Sequence, residues 1–246
     1  MIRLPCSGRL FGASLLAGLF FFAPRPAIAE FDPFHVPKDR FREKVRRVVI
    51  RPFRFPVTIP DSRLLSRHAM RHVTNELERL GFEVVDPSEF EDRWRRYSET
   101  LGGVFDPTTG VADAEKYRLA FEYTLRDLVN SQEVDAVVRL SHFLRVADVG
   151  SDGVYLWAAG SSLVWEGRWI PDRIGIGRVW PQRVHAAWLG IEIQDASGQV
   201  LFDVGYPLGW TRIYMLRGFE DFPPEELYTE ETIDEAFNRC LAELAE

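Results

Sequence analysis

The spacing of apolar residues changes once along this chain, near Val134, and that change restricts it to a fold in which helices and a sheet share one core. Upstream, Leu65, Ala69, Val73, Leu77 and Leu80 recur every three or four residues, as do Tyr117, Ala120, Phe121, Leu125 and Leu128. Each set predicts a helix with a single apolar stripe. Downstream, Ala136, Val138, Leu140, His142, Leu144 and Val146 alternate with more polar neighbours, and so do Ala187, Leu189, Ile191 and Ile193. Period two predicts strands with one inward face.

Punctuation places the remaining elements. Val48, Val49 and Ile50 form a short unbroken apolar run, which suits a strand covered on both faces. Pro56 and Pro60 end it, Asp61 is placed to cap the following helix, and Gly81 stops that helix. Phe82 to Val85 reads as a second strand. Asp86-Pro87-Ser88-Glu89 reads as an N-cap, a first-turn proline and a capping-box glutamate. After a turn-rich stretch from Gly102 to Gly110, Asp113 caps the long helix. Gly150-Ser151-Asp152-Gly153 and Asp195-Ala196-Ser197-Gly198 are turns between neighbouring strands, so antiparallel pairing is expected there. A last helix ends near Leu244. The expected class is α+β, a single mixed β-sheet with helices packed on it, in the order β-α-β-α-α-β-β-β-β-α.

Residues 1–29 read as a secretory signal: Arg3 and Arg9 precede an apolar run from Leu10 to Ala23, and Ala27-Ile28-Ala29 offers small residues for cleavage. Pro24 and Pro26 and the run's shortness disfavour a membrane span. No cysteine follows Leu16-Ala17-Gly18, so no lipid anchor is expected. The expected organisation is residues 1–29 as signal, 30–44 as an extended basic lead-in without a core face, and 45–246 as a single α+β domain in the periplasm. Of the 2 cysteines only Cys240 then remains, on a helical face with Ile233, Phe237 and Leu244, where a buried thiol is the simplest reading.

Charge narrows the partners. The net charge of -7 argues against nucleic acid, whose phosphates demand a basic face. The charge is uneven: Lys38 to Arg54 is strongly basic, whereas Phe219 to Glu246 is strongly acidic. Either the two segments attract each other on folding, or the basic one meets an anionic surface or an acidic envelope protein. Arg46, Arg47 and Arg51 are the candidate contacts. Phe105 and Asp106 in the turn-rich stretch, and Trp180 among the tryptophans crowded into the second half, are candidate binding residues as well.

Signals for catalysis are weak. His68 and His72 have metal-chelating spacing, but Arg71 lies between them and no glutamate completes a His-Glu-x-x-His motif. Gly175-Ile176-Gly177 does not open a helix, and neither a Gly-x-Ser-x-Gly elbow nor a phosphate loop occurs. Asp106, Asp113, Asp148, Asp152 and Glu166 could pair as acid and base only if the fold gathers them. No catalytic residue, metal ligand or cofactor is assigned. The alternative to a binding protein is a periplasmic hydrolase acting on glycan or peptide through carboxylates around Asp106 and the Gly150 to Gly153 turn.

Three segments also carry a resemblance: Arg47-Val48-Val49-Ile50-Arg51-Pro52-Phe53, the stretch Glu78-Arg79-Leu80-Gly81-Phe82-Glu83-Val84-Val85, and the hairpin from Leu189 through Asp195-Ala196-Ser197-Gly198 to Leu201. Together they resemble a group of bacterial envelope proteins that contains the curli-secretion protein CsgG, the penicillin-binding-protein activator LpoB and the N-terminal domain of TolB. The resemblance implies an α+β layer structure that binds other envelope proteins without catalysing a reaction. It departs from the group in lacking a lipobox cysteine, a propeller and a strand pair long enough for a pore, and it carries over no site residue.

Overall fold

The structure is a computed structural model and describes residues 32–149, 155–157, 183–215 and 218–245. A mixed seven-stranded sheet carries helices on both faces. The elements in chain order are α1 (Lys38–Lys44), β1 (Arg47–Ile50), α2 (Ser62–Arg79), β2 (Glu83–Val85), α3 (Pro87–Thr100), α4 (Ala114–Gln132), β3 (Ala136–Val149), β4 (Tyr155–Trp157), β5 (Arg183–Asp195), β6 (Val200–Met215), β7 (Gly218–Asp221), α5 (Pro224–Leu227) and α6 (Glu230–Ala245). The predicted α+β class and order are observed, with α1, β7 and α5 added.

The sheet runs β2-β1-β3-β5-β6-β7, and β4 pairs with the far end of β3. Strand β1 lies parallel to both β2 and β3, whereas β3, β5, β6 and β7 form an antiparallel meander. Val48 and Ile50 point into a core shared with Leu65, Ala69, Val73 and Leu77 of α2 and Phe237 of α6. Val49 points the other way, among Val85, Phe90, Leu125 and Leu128 beneath α3 and α4. The unbroken apolar run therefore does what a doubly covered strand requires, and each of its side chains is fully buried, a burial worth about 2 kcal/mol apiece.

Two of the expected helix caps form. Asp86 accepts from the Ser88 N–H, and Asp113 accepts from Glu115 and Lys116. Asp61 does not cap. The turn from Pro56 leaves it in the left-handed region at φ 51, and its side chain makes no cap hydrogen bond, so only its carbonyl serves the first turn of α2. Leu144 and Val146 were expected inward, yet they are exposed, because the apolar face packed by α2 and α6 ends before them. Where β3, β5 and β6 cross on the other face, Gly190 and Gly205 lie under the ring of Phe143. A Cβ on Gly190 would come within 2.7 Å of Ser141 Oγ, so a side chain at that position would displace its neighbours.

The lead-in is the main correction. Residues 38–44 are helical rather than extended, and Phe41 is fully buried against Phe34, Phe82 and Phe202. Phe34 forms a bridge with Phe202, while His35 and Asp203 exchange backbone bonds with Leu201 and Pro33. The segment thus covers part of the β6 edge that β7 leaves open. Its aromatics are isolated among charges, too few to show a period, and beyond each other they find apolar partners at Phe82, about 40 residues away, and at Phe202, about 160 residues away. The basic lead-in also meets the acidic end of the chain: Arg42 donates to the carbonyls of Leu244 and Ala245 at the C-terminus of α6. Phe41→Ala should lower stability by about 3–5 kcal/mol in urea unfolding. Arg40→Ala, on the exposed side of α1, should stay within about 0.5 kcal/mol of the parent.

Candidate functional site

Adjacent parallel strands whose connections leave toward opposite faces open a crevice at their carboxyl ends. Strands β1 and β2 meet that condition: β1 leads into α2 on one face, β2 into α3 on the other. The resulting cleft has a volume of about 880 Å³. Its floor is the segment after β1, where Phe53 and Phe55 stack edge to face at 4.8 Å. The Ser66 hydroxyl accepts from the Phe55 N–H and donates to the Ser62 carbonyl, tying the floor to α2. Arg54, Arg63 and Arg67 line the walls, facing Asp86 and Glu91 at the start of α3. Val57 stands at the rim, 92% exposed.

The charges in this cleft are unequally engaged. The Asp86 carboxylate is committed to capping α3, and the hydrogen bonds from Ser88 hold its pKa below the usual value. Glu91 pairs with Arg54 at 3.4 Å. Arg63 and Arg67, one turn apart on the exposed side of α2, have no carboxylate within ion-pair distance among the described residues. The cleft therefore combines an aromatic floor with two uncommitted guanidiniums, a combination suited to a ligand bearing both apolar and anionic groups.

A second groove, of about 620 Å³, runs along the other end of α3 between Trp94, Ser98 and Phe105, and Glu91 lines both. Phe105, 52% exposed, packs edge-on against Tyr117. Its loop is ordered by Asp106, whose Oδ1 accepts from the N–H groups of Thr108 and Thr109 and from the Thr109 hydroxyl. These bonds lower the Asp106 pKa and make it a poor proton donor. Beside this groove, Arg51 sits beneath Trp94, Tyr117 and Phe121, its guanidinium carbon 5.5–5.9 Å from the ring centres, and donates to the Tyr117 hydroxyl. Burial first, then the Arg139 charge, pulls its pKa below the ordinary arginine value, against the opposing pull of Glu192.

The candidates from sequence thus separate. Arg46 and Arg47 lie at the amino end of β1, away from the cleft. Their backbone N–H groups both donate to Asp135 Oδ2, and the Arg47 side chain pairs with Glu83 across the β1–β2 register. Arg51 is a packing residue whose cluster reaches Phe105 through Tyr117. Trp180 lies outside the described residues, as do the Gly150 to Gly153 turn and Glu166. Arg54, Arg63, Arg67 and Trp94 were missed. The only signal for Arg63 and Arg67 was the recurrence of arginine on the polar side of α2, which acquires meaning once α2 and α3 are known to lie on opposite faces.

The histidines take structural places. His68 Nε2 and His72 Nδ1 lie 2.6 and 3.2 Å from Asp234 Oδ1, joining α2 to α6, and no group with metal-holding geometry occurs among the described residues. Cys240 is buried in the core with its thiol pKa pushed up by burial. His142 contacts the Tyr228 hydroxyl at 2.8 Å, and burial lowers its pKa below 6.5. The unfolded chain accordingly takes up that proton first on acidification, so this histidine's contribution is fully present above pH 6.5 and is lost as pH falls through the folded value. The urea midpoint should fall as the pH is lowered from about 7 to about 5, with a shallower slope in His142→Gln. Substitutions at the cleft should separate from those beneath it: Arg51→Ala should cost about 2 kcal/mol through lost ring contacts, and Arg63→Glu with Arg67→Glu less than about 0.5 kcal/mol in the same unfolding assay.

No helix among the described residues is long and apolar enough to cross a membrane. No protein-family model matches the chain, and no curated protein matches it. Among solved structures, the PelC dodecamer from Paraburkholderia phytofirmans is similar over 81% of this chain and 86% of its own, with 13% identity and a TM-score of 0.34. A single-substitution form of that dodecamer is similar over 82% and 89%, with 12% identity and a TM-score of 0.33. TM-scores this low do not establish a shared fold.

Proposed function

We propose that this chain is an exported, non-catalytic interaction factor of the bacterial cell envelope and that it engages its partner at the cleft between α2 and α3. The observation that carries the reading is the pairing, in one concavity, of an aromatic floor with the uncommitted Arg63 and Arg67. Such a surface gains affinity from apolar burial and selectivity from charge. The signal-like residues 1–29 and the segment resemblances to envelope binding proteins support the compartment and the class. In this reading the acidic surface of α6 keeps the protein soluble and apart from anionic surroundings, while the arginine-bearing cleft attracts a partner of opposite charge.

The test is photo-crosslinking in living cells, with the probe residue placed at Val57 on the cleft rim of the full chain. A discrete adduct in the envelope fraction, its chain beginning near Glu30, is the expected result, with no adduct from a probe at exposed Glu235 of α6. A chain retained in the cytosol with residues 1–29 intact, or no adduct at Val57, would overturn it.

A further inference from the structure

The two grooves are not separate sites. Glu91 lines both, and the α3 residues that line the first, Pro87 and Ser88, and those that line the second, Trp94, Arg95, Ser98 and Glu99, follow one side of the helix. The result is a continuous track along the helix with unlike ends. At one end Arg63 and Arg67 line a concavity whose carboxylates, Asp86 and Glu91, are engaged with Ser88 and Arg54, and neither guanidinium has a carboxylate within ion-pair distance among the described residues. At the other, Trp94 and the half-exposed Phe105 flank a groove floored by Gly102 and Gly103. Phe105 is held there by the hydrogen-bonded Asp106 loop and by the Phe105 bridge to Ala112, so its ring is presented by an ordered scaffold.

We infer that this track is the recognition groove for one extended acidic peptide segment, with carboxylates at the arginine end and an apolar, ring-bearing anchor at the Trp94–Phe105 end. This rests on the interaction reading above and names its partner's chemistry. Charge complementarity sets the orientation: the peptide's carboxylates answer the unpaired guanidiniums, which match carboxylates bidentately. Its anchor stacks on the two aromatics. The track sets the spacing: α3 rises 1.5 Å per residue, so the stretch from Glu91 to its end at Thr100 spans about 14 Å, the length of about four residues of extended chain. A flat bilayer would touch the rim at Val57, whereas an extended peptide follows the length of the track.

The probe is an array of peptides in a Gly-Ser background carrying a glutamate pair and one phenylalanine at every separation, incubated with the full exported chain. Binding should peak when the pair and the ring stand about four to six residues apart and should weaken as salt rises. Arg63→Glu with Arg67→Glu should reduce the peak at least about tenfold, and Phe105→Ala about fivefold, while a lysine-pair array stays at background. The charge-reversed arginines are exposed, and the unfolding midpoint of each variant establishes that it is folded. A flat array, a peak insensitive to Arg63 and Arg67, or equal capture of lysine peptides would overturn the inference. So would arginine-dependent sedimentation with phosphatidylglycerol vesicles in place of peptide binding. A Val57 adduct that survives Arg63→Glu with Arg67→Glu would sink this track while leaving the envelope-interaction reading intact. A peptide peak without any envelope adduct would do the reverse.

Discussion

Strand β1 is buried on both faces and bonded on both edges, and the arrangement of the molecule follows from that. A strand in this position cannot return to its neighbours through tight hairpins, because parallel pairing requires a crossover. The chain therefore leaves β1 through α2 to reach β2, and leaves β2 through α3 and α4 to reach β3 on the other side. Since Val48 and Ile50 require apolar cover on one face and Val49 on the other, the two crossovers occupy opposite faces. The cleft at the ends of β1 and β2 is the geometric consequence of covering one short strand twice.

The rest of the sheet solves a different problem. The antiparallel strands β3, β5 and β6 are three or more times as long as β1, and their far ends pass beyond the helices. Leu144 and Val146 are exposed there, although they share a face with fully covered Ala136 and Val138. At the near end, residues 32–44 help to protect β6, pairing Phe34 with Phe202 and seating Phe41 in the core. Arg42 on the terminal carbonyls of α6 ties the two chain ends together.

Local features were readable because their physics is local. The Asp86 and Asp113 caps depend on a side chain and N–H groups two or three residues away, and both form. The hairpin at Asp195 closes on its own aspartate, which accepts from Ser197 and Gln199. Asp61 has the same residue type but a different backbone, set by the turn before it, and the cap fails. Phe41 was unreadable because an aromatic between charges has no period of its own, and its more distant partners, Phe82 just before β2 and Phe202 in β6, come from elsewhere in the chain. For the site, Arg46 and Arg47 were marked by the density of charge along the chain, and the fold sets them at the opposite end of β1 from the cleft, with Arg47 paired with Glu83.

The sequence by itself determined the class of the fold, the order of its elements and the double burial of β1, because apolar periodicity and caps record how each segment meets a core regardless of where that core lies. Only the tertiary structure decided which charges remain free and where they gather. Arg63 and Arg67 became a candidate site once α2 and α3 lay on opposite faces of the sheet, and Arg54 answered Glu91 while they answered nothing among the described residues. That outcome depends on crossovers between distant segments, and no window of sequence contains both sides of the cleft.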